Sequence, residues 1–160
     1  MIVAVIQAVI FLSFVIYIAL TYGVLRSISH SWYELLPIKK QWIFQVFLAS
    51  IGILMFFHGN IWFYLSGVGL LITSICPQFE RRHSLEASLH VIGATGAVIS
   101  ALIGLWVSSG LWYMLVIPLA LALPFRYIKK INVKNKDWWI EILAFVSILT
   151  GLVIKNKKNK

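Results

Sequence analysis

Three observations predict an all-α fold, a polytopic transmembrane helical bundle of six spans. Of the 160 residues, 61% are hydrophobic and 12% charged, against about 45–50% apolar and about 25% charged in soluble domains. The apolar residues gather into six runs separated by short polar segments. Six crossings of about 20 residues occupy roughly 120 positions and leave about 40 for every connection and tail. Residues 1–160 are therefore read as one integral membrane domain, with no room for an independent soluble one.

The first run, Ile2 to Leu25, carries no charge. At 1.5 Å per residue it covers about 36 Å, more than a hydrocarbon core of about 30 Å. It has no basic n-region and no small-x-small site before the polar segment, so it reads as a retained span, not a cleaved signal peptide. Arg26 to Lys40, RSISHSWYELLPIKK, mixes hydroxyls, a histidine, an acid, aromatics and a proline, a composition suited to the interface. Gln41 to Phe57 and Ile61 to Ile75 form a helical hairpin across the turn residues His58-Gly59-Asn60. Pro77 and the charges of CPQFERRH end the third run.

Ser84 to Trp106 is the fourth span. Ser84 and Ala87 make no capping box, although Glu86 suits the positive end of the helix dipole. After the uncharged turn Val107 to Gly110, Leu111 to Phe125 is a fifth span, in which Pro118 and Pro124 predict a kink. Arg126 to Asp137 is a basic connection. Trp138 to Ile154 is a short sixth span, and Lys155 to Lys160 reads as a mobile tail.

The net charge of +9 arises from 14 Lys and Arg against five acids. These bases lie beside apolar runs, where phospholipid headgroups are the nearest anions and each contributes about 1 kcal/mol of attraction. The expected partner is membrane lipid and not nucleic acid. Connections one, three and five hold ten of the Lys and Arg, and the tail holds the other four. That bias places the three connections in the cytoplasm and both termini outside, in a bacterial inner membrane. The single cysteine, Cys76, excludes an intramolecular disulfide and a cysteine metal site.

Polar chemistry concentrates on the fourth run. His83, Glu86, His90, Gly93, Ala97, Ala101 and Gly104 recur every three or four residues, which sets them on one helix face. Small residues at this spacing let a neighbouring helix approach closely, so the stripe is expected to face inward. Glu141, one turn into the sixth span, is a candidate site residue because an acid within a span turns to a partner or cavity.

Three chemistries fit this cluster. A divalent metal would use Glu86 with His90 or His83, completed by His30, Glu34 or Glu141. An anionic headgroup would be held by Arg81, Arg82 and Arg126, with Ser27, Ser29 and Tyr33 orienting it. In the third, Glu86, His90 and Glu141 are hydrogen-bonded packing groups. The seven tryptophans fall near run ends and read as an aromatic belt. Ser66-Gly67-Val68-Gly69 reads as close helix packing, since no strand precedes it to make a nucleotide loop.

The order SISHSWYELLP, CPQF, HSLEASLHVIGA and WWIEILAF resembles small six-helix bacterial and phage-borne membrane proteins of unknown function. It is distantly similar to the Frag/DRAM/Sfk class of six-helix proteins, whose members are implicated in lipid remodelling, lipid asymmetry and membrane trafficking. The resemblance covers most of the chain in layout and four short patches in residues. It picks out Ser27, Ile28, Ser29, Pro77, His90 and Glu141. The chain departs from the class at His30 and Trp32, where the class favours an acid and a glycine.

The role this reading favours is non-catalytic. The chain would bind a lipid headgroup, or serve as an accessory or scaffold subunit in a homo-oligomer or larger membrane complex, with no cofactor required. One alternative is a divalent-metal-dependent hydrolase of a lipid amide or ester, with Glu86 and His90 as ligands and Glu141 as general base. Another is a proton-coupled transporter using Glu86, His90 and Glu141 as a relay.

Overall fold

The computed structural model describes residues 1–77, 84–114, 116, 120 and 135–158. Among these the chain is helical: α1 (Ile2–Tyr22), α2 (Ser31–Leu35), α3 (Trp42–Met55) closed by a 3-10 turn (Phe56–His58), α4 (Ile61–Ile75), α5 (Leu85–Ser109) and α6 (Lys136–Lys158). Three helices, α1, α5 and α6, are long and apolar enough to cross a membrane, whereas α3 and α4 are shorter apolar helices. Arg81, Arg82, His83, Pro118, Pro124 and Arg126 lie outside the described residues.

Local chemistry sets the helix limits. Asn60 is extended, and its side-chain oxygen accepts the Trp62 N–H at 3.0 Å. Ser84 does the same for Ala87 at 3.1 Å. Each satisfies one of the amides that a helix start leaves without an intrahelical partner. A lone N-cap is enough at Ser84, even without the capping box. Gly59 and Gly110 adopt left-handed φ of 68° and 66° where α3 and α5 stop, a conformation that a side chain disfavours.

The helices alternate in direction. Gln7, near the start of α1, meets Ile51 and Met55 near the end of α3. Gly52 faces Gly67 across α3 and α4, and Gly69 faces Gly93 across α4 and α5. Leu105 of α5 packs on Gly151 of α6, so these two run parallel. One end of the bundle therefore carries residues 24–40, Cys76, Ser84 and Asn135; we call it the connection end. The other carries Met1, His58, Ser109 and the close of α6, and is the terminal end. The chain leaves α5 at the terminal end and enters α6 at the connection end.

Two kinds of packing build the core. Among α3, α4 and α5, backbones touch: a Cβ on Gly67 would stand 2.6 Å from the Gly52 carbonyl oxygen, and one on Gly69 2.6 Å from that of Gly93. The expected stripe is present, with His90, Gly93, Ala97, Ala101 and Gly104 buried, and SGVG is indeed a close-packing segment. Among α1, α3 and α6, aromatic rings fill the space. Phe14 stacks on Phe47 at 4.0 Å between centroids, and Phe11 on Phe145 at 4.9 Å.

Two expectations need correction. Trp42, Trp106, Trp112 and Trp139 are exposed, as an aromatic belt requires, but Trp32 and Trp138 are core residues at 7% and 1% exposure. Position near a run end does not distinguish a ring facing lipid from one turned under a connection. The tail also begins later than expected. Helix α6 continues to Lys158, and Lys155 is buried at 7% exposure.

Candidate functional site

The connection end is organised around the segment Val24 to Ser31. Its first half is irregular, with bends at Val24 and Arg26, and its backbone meets the start of α6 at three points. Asn135 Nδ2 donates to the Val24 carbonyl at 2.6 Å, the Trp138 N–H donates to the Arg26 carbonyl at 3.0 Å, and Glu141 Oε2 accepts the Ile28 N–H. On the helix side the contacts come from Trp138 and Glu141, three residues apart and so on nearly the same face of α6, with Asn135 just before its start. The Ser29 amide is directed to the same Glu141 carboxylate.

From Ser27 onward the segment turns back on itself. Ser27 Oγ accepts the His30 N–H at 3.0 Å, and Ser31 Oγ donates to the Ile28 carbonyl at 2.6 Å. Both serines are buried, whereas Ser29 is only partly so. On the far side stands His90, 4% exposed. Its Nδ1 lies 2.8 Å from the Cys76 carbonyl and its Nε2 3.2 Å from Ser29 Oγ. A carbonyl only accepts, so in the neutral ring Nδ1 carries the proton and Nε2 accepts from the Ser29 hydroxyl.

Glu141 and His90 thus meet at residues 28 and 29 from opposite sides, which brings two of the three singled-out polar residues together. Glu86 is half-buried one turn before His90 and interacts with it electrostatically. His30 and Glu34 pair with each other at 3.7 Å along α2. Among the described residues, no three His, Cys, Asp or Glu side chains gather as a metal ion requires, so His30, Glu34 and Glu141 do not complete a donor set with Glu86 and His90. His83, Arg81, Arg82 and Arg126 belong to the part of the site that is not described. Pro77 is buried beside Cys76.

This end also carries exposed cations. Arg26, Lys39, Lys40 and Lys136 are exposed at the connection end, with Trp42 and Trp139 exposed beside them. Lys39 holds a left-handed φ of 55°. The Lys40 N–H bonds to the Leu35 carbonyl and the Lys39 N–H to that of Leu36, both at 3.0 Å. This is the Schellman pattern, with lysine where glycine is usual. Tyr33 is half-buried, edge-on to the Trp32 ring at 5.0 Å.

Sequence reasoning missed a second polar group at the terminal end. Gln7 is fully buried; its Nε2 faces the Ile51 carbonyl and Met55 Sδ, both at 3.3 Å, and its Oε1 meets His58 Nε2 at 2.9 Å. Lys155 donates to the His58 carbonyl at 2.9 Å and lies 4.4 Å from the centre of the Phe63 ring. Burial pushes the His58 imidazole down from 6.5 to about 4, and the Lys155 ammonium adds to the shift. The available signal was Gln7 itself, the one amide within the first apolar run.

The small-residue stripe of α5 is covered by α4 of the same chain, so it offers no free face to a separate subunit. Compared with known proteins, the chain matches no family model, no curated protein and no solved structure.

Proposed function

We propose that this chain is an integral membrane protein of six crossings that binds anionic lipid headgroups at its connection end, on the cytoplasmic side. The observation that carries the reading is the exposure of Arg26, Lys39, Lys40 and Lys136 at the same end as the hydrogen-bonded serine segment, with Trp42 and Trp139 also exposed there. Cations near a headgroup layer attract anionic lipid, and tryptophan prefers that depth. At the terminal end Lys155 is withdrawn into the bundle, which lowers the opposing exposed charge and favours a cytoplasmic connection end.

The alternation of helix ends supports the crossing number, because α5 leaves the terminal end and α6 starts at the connection end. Helix α3 with its 3-10 turn covers 17 residues and α4 covers 15, about 25 and 22 Å in length at the α-helical rise. A bilayer accommodates such short spans by thinning locally. A groove of about 560 Å³ between α1 and α3, lined by Val9, Ser13, Tyr17, Trp42 and Val46 among others, reaches Trp42 at the start of α3 and suits an acyl chain.

The test is native mass spectrometry of the protein released from vesicles of mixed phosphatidylglycerol and phosphatidylcholine. Preferential retention of phosphatidylglycerol is expected, reduced about fivefold by each of Arg26→Ala and Lys40→Ala, the equivalent of about 1 kcal/mol per cation. Equal retention of both lipids overturns the reading. Lys39→Gly separates binding from folding. It relieves a left-handed lysine and is expected to raise stability by about 1 kcal/mol while weakening retention.

A further inference from the structure

We infer that Ser29 is a nucleophile activated by His90 toward carboxylic esters presented at the membrane interface. Three serines lie within the segment 27–31, and two are spent on the backbone: Ser27 accepts the His30 amide and Ser31 donates to the Ile28 carbonyl. Ser29 alone of the three faces an imidazole, and it alone is partly exposed. The Cys76 carbonyl fixes the proton of His90 on Nδ1 and leaves Nε2 to receive the Ser29 proton. A hydroxyl, a ring nitrogen that accepts from it and a third group that orients the ring form the arrangement of an activated nucleophile. Glu141 completes the preorganisation, because it holds the Ile28 amide and so fixes the backbone next to the residue that carries Oγ.

The reaction balances with water as the only co-reactant. Ser29 Oγ bonds to the ester carbonyl carbon as its proton passes to His90 Nε2. The carbon–oxygen bond to the alcohol then breaks, and the alcohol leaves with that proton. Water attacks the acyl-Ser29 ester, gives a proton to Nε2, and the carboxylic acid departs as Ser29 recovers its hydrogen. The substrate class rests on the headgroup reading above: ester groups of glycerolipids lie just beneath a headgroup layer, and Ser29 is partly buried in a connection whose Arg26, Lys39 and Lys40 are exposed. The Ile28 amide is committed to Glu141 and gives nothing to the oxyanion. A missing oxyanion donor slows the chemistry by about 10²–10³-fold, so a trapped acyl or phosphonyl adduct is a better readout than turnover.

The experiment is labelling of the full chain in detergent with a fluorophosphonate, followed by peptide mass spectrometry. It requires no lipid and is therefore independent of the headgroup reading. Exposed Ser88, whose hydroxyl meets only the Ser84 carbonyl, is the internal reference. The expected result is an adduct on Ser29 at about 100 times the rate at Ser88, lost in Ser29→Ala. His90→Asn, which can still donate to the Cys76 carbonyl but has no Nε2, is expected to lower the Ser29 rate to that of Ser88. Labelling of Ser29 no faster than Ser88 in the wild-type protein overturns the inference whatever the variants do, and so does equal labelling in a folded His90→Asn.

Discussion

The two ends of the bundle bury polar groups in different ways. At the connection end, side chains of α5 and α6 grip a backbone segment: Asn135 and Glu141 take the Val24 carbonyl and the Ile28 amide, and His90 reaches Ser29. At the terminal end, side chains mostly satisfy one another and helix carbonyls, in the series Gln7, His58, Lys155. The first arrangement fixes the path of a connection and presents a hydroxyl at the surface. The second joins α1, α3 and α6 and leaves a half-buried His58 whose ring and carbonyl are both engaged. A polar group becomes a candidate site by what it leaves accessible, not by being buried.

The largest effect should come from removing the grip at the connection end. Glu141→Ala strands the Ile28 amide and empties the space of a long side chain; an unsatisfied buried donor costs about 1–3 kcal/mol and the cavity adds to it. A loss of roughly 2–5 kcal/mol is expected in denaturant unfolding of the detergent-solubilised protein, while Glu141→Gln, which keeps an acceptor oxygen, should lose less than half of that. At the terminal end Gln7→Leu preserves shape but leaves His58 Nε2 without its partner, at about 1–2 kcal/mol. If the two substitutions cost the same, the distinction between the ends disappears.

Smaller effects sharpen the contrast. Asn135→Ala removes one exposed hydrogen bond and should cost about 0.5–1.5 kcal/mol. Lys155→Met trades a buried ammonium for a thioether of similar length, and the balance of lost pairing against avoided desolvation should fall within about 1 kcal/mol of zero. The terminal end should also be acid-sensitive. An imidazole with a folded pKa of about 4 against 6.5 unfolded binds fewer protons in the folded state, so stability rises with pH. Its contribution is fully present above 6.5 and is lost as pH falls toward 4. Thermal unfolding between pH 7 and 4 should show a drop attributable to His58, reduced in His58→Gln.

The helical class and the inward stripe of α5, His90 included, were legible from spacing along one helix, and the inward turn of Glu141 was legible because an acid within an apolar run needs a partner. Periodicity puts Gly93, Ala97, Ala101 and Gly104 on one face whatever lies opposite. What covers that face was not legible, and Gly69 of the same chain does so. Tertiary distance also hid the placement of Trp32 and Trp138 in the core, since a ring near a run end looks alike from sequence whether lipid or a folded-back connection covers it. Lys155 read as tail because a lysine after an apolar run normally marks its limit; here a carbonyl and an aromatic face receive it inside the bundle. The serine motif stood out in composition, but only the fold distinguishes Ser29 from Ser27 and Ser31.

The most direct measurement is amide hydrogen exchange across residues 24–31 in the wild-type protein and in Glu141→Gln. The grip described here predicts slow exchange at Ile28 and Ser29, about tenfold faster in the variant, with peptides around Gln7 and His58 unchanged. Rapid wild-type exchange at residues 28 and 29, or protection that survives the loss of the carboxylate, would contradict it.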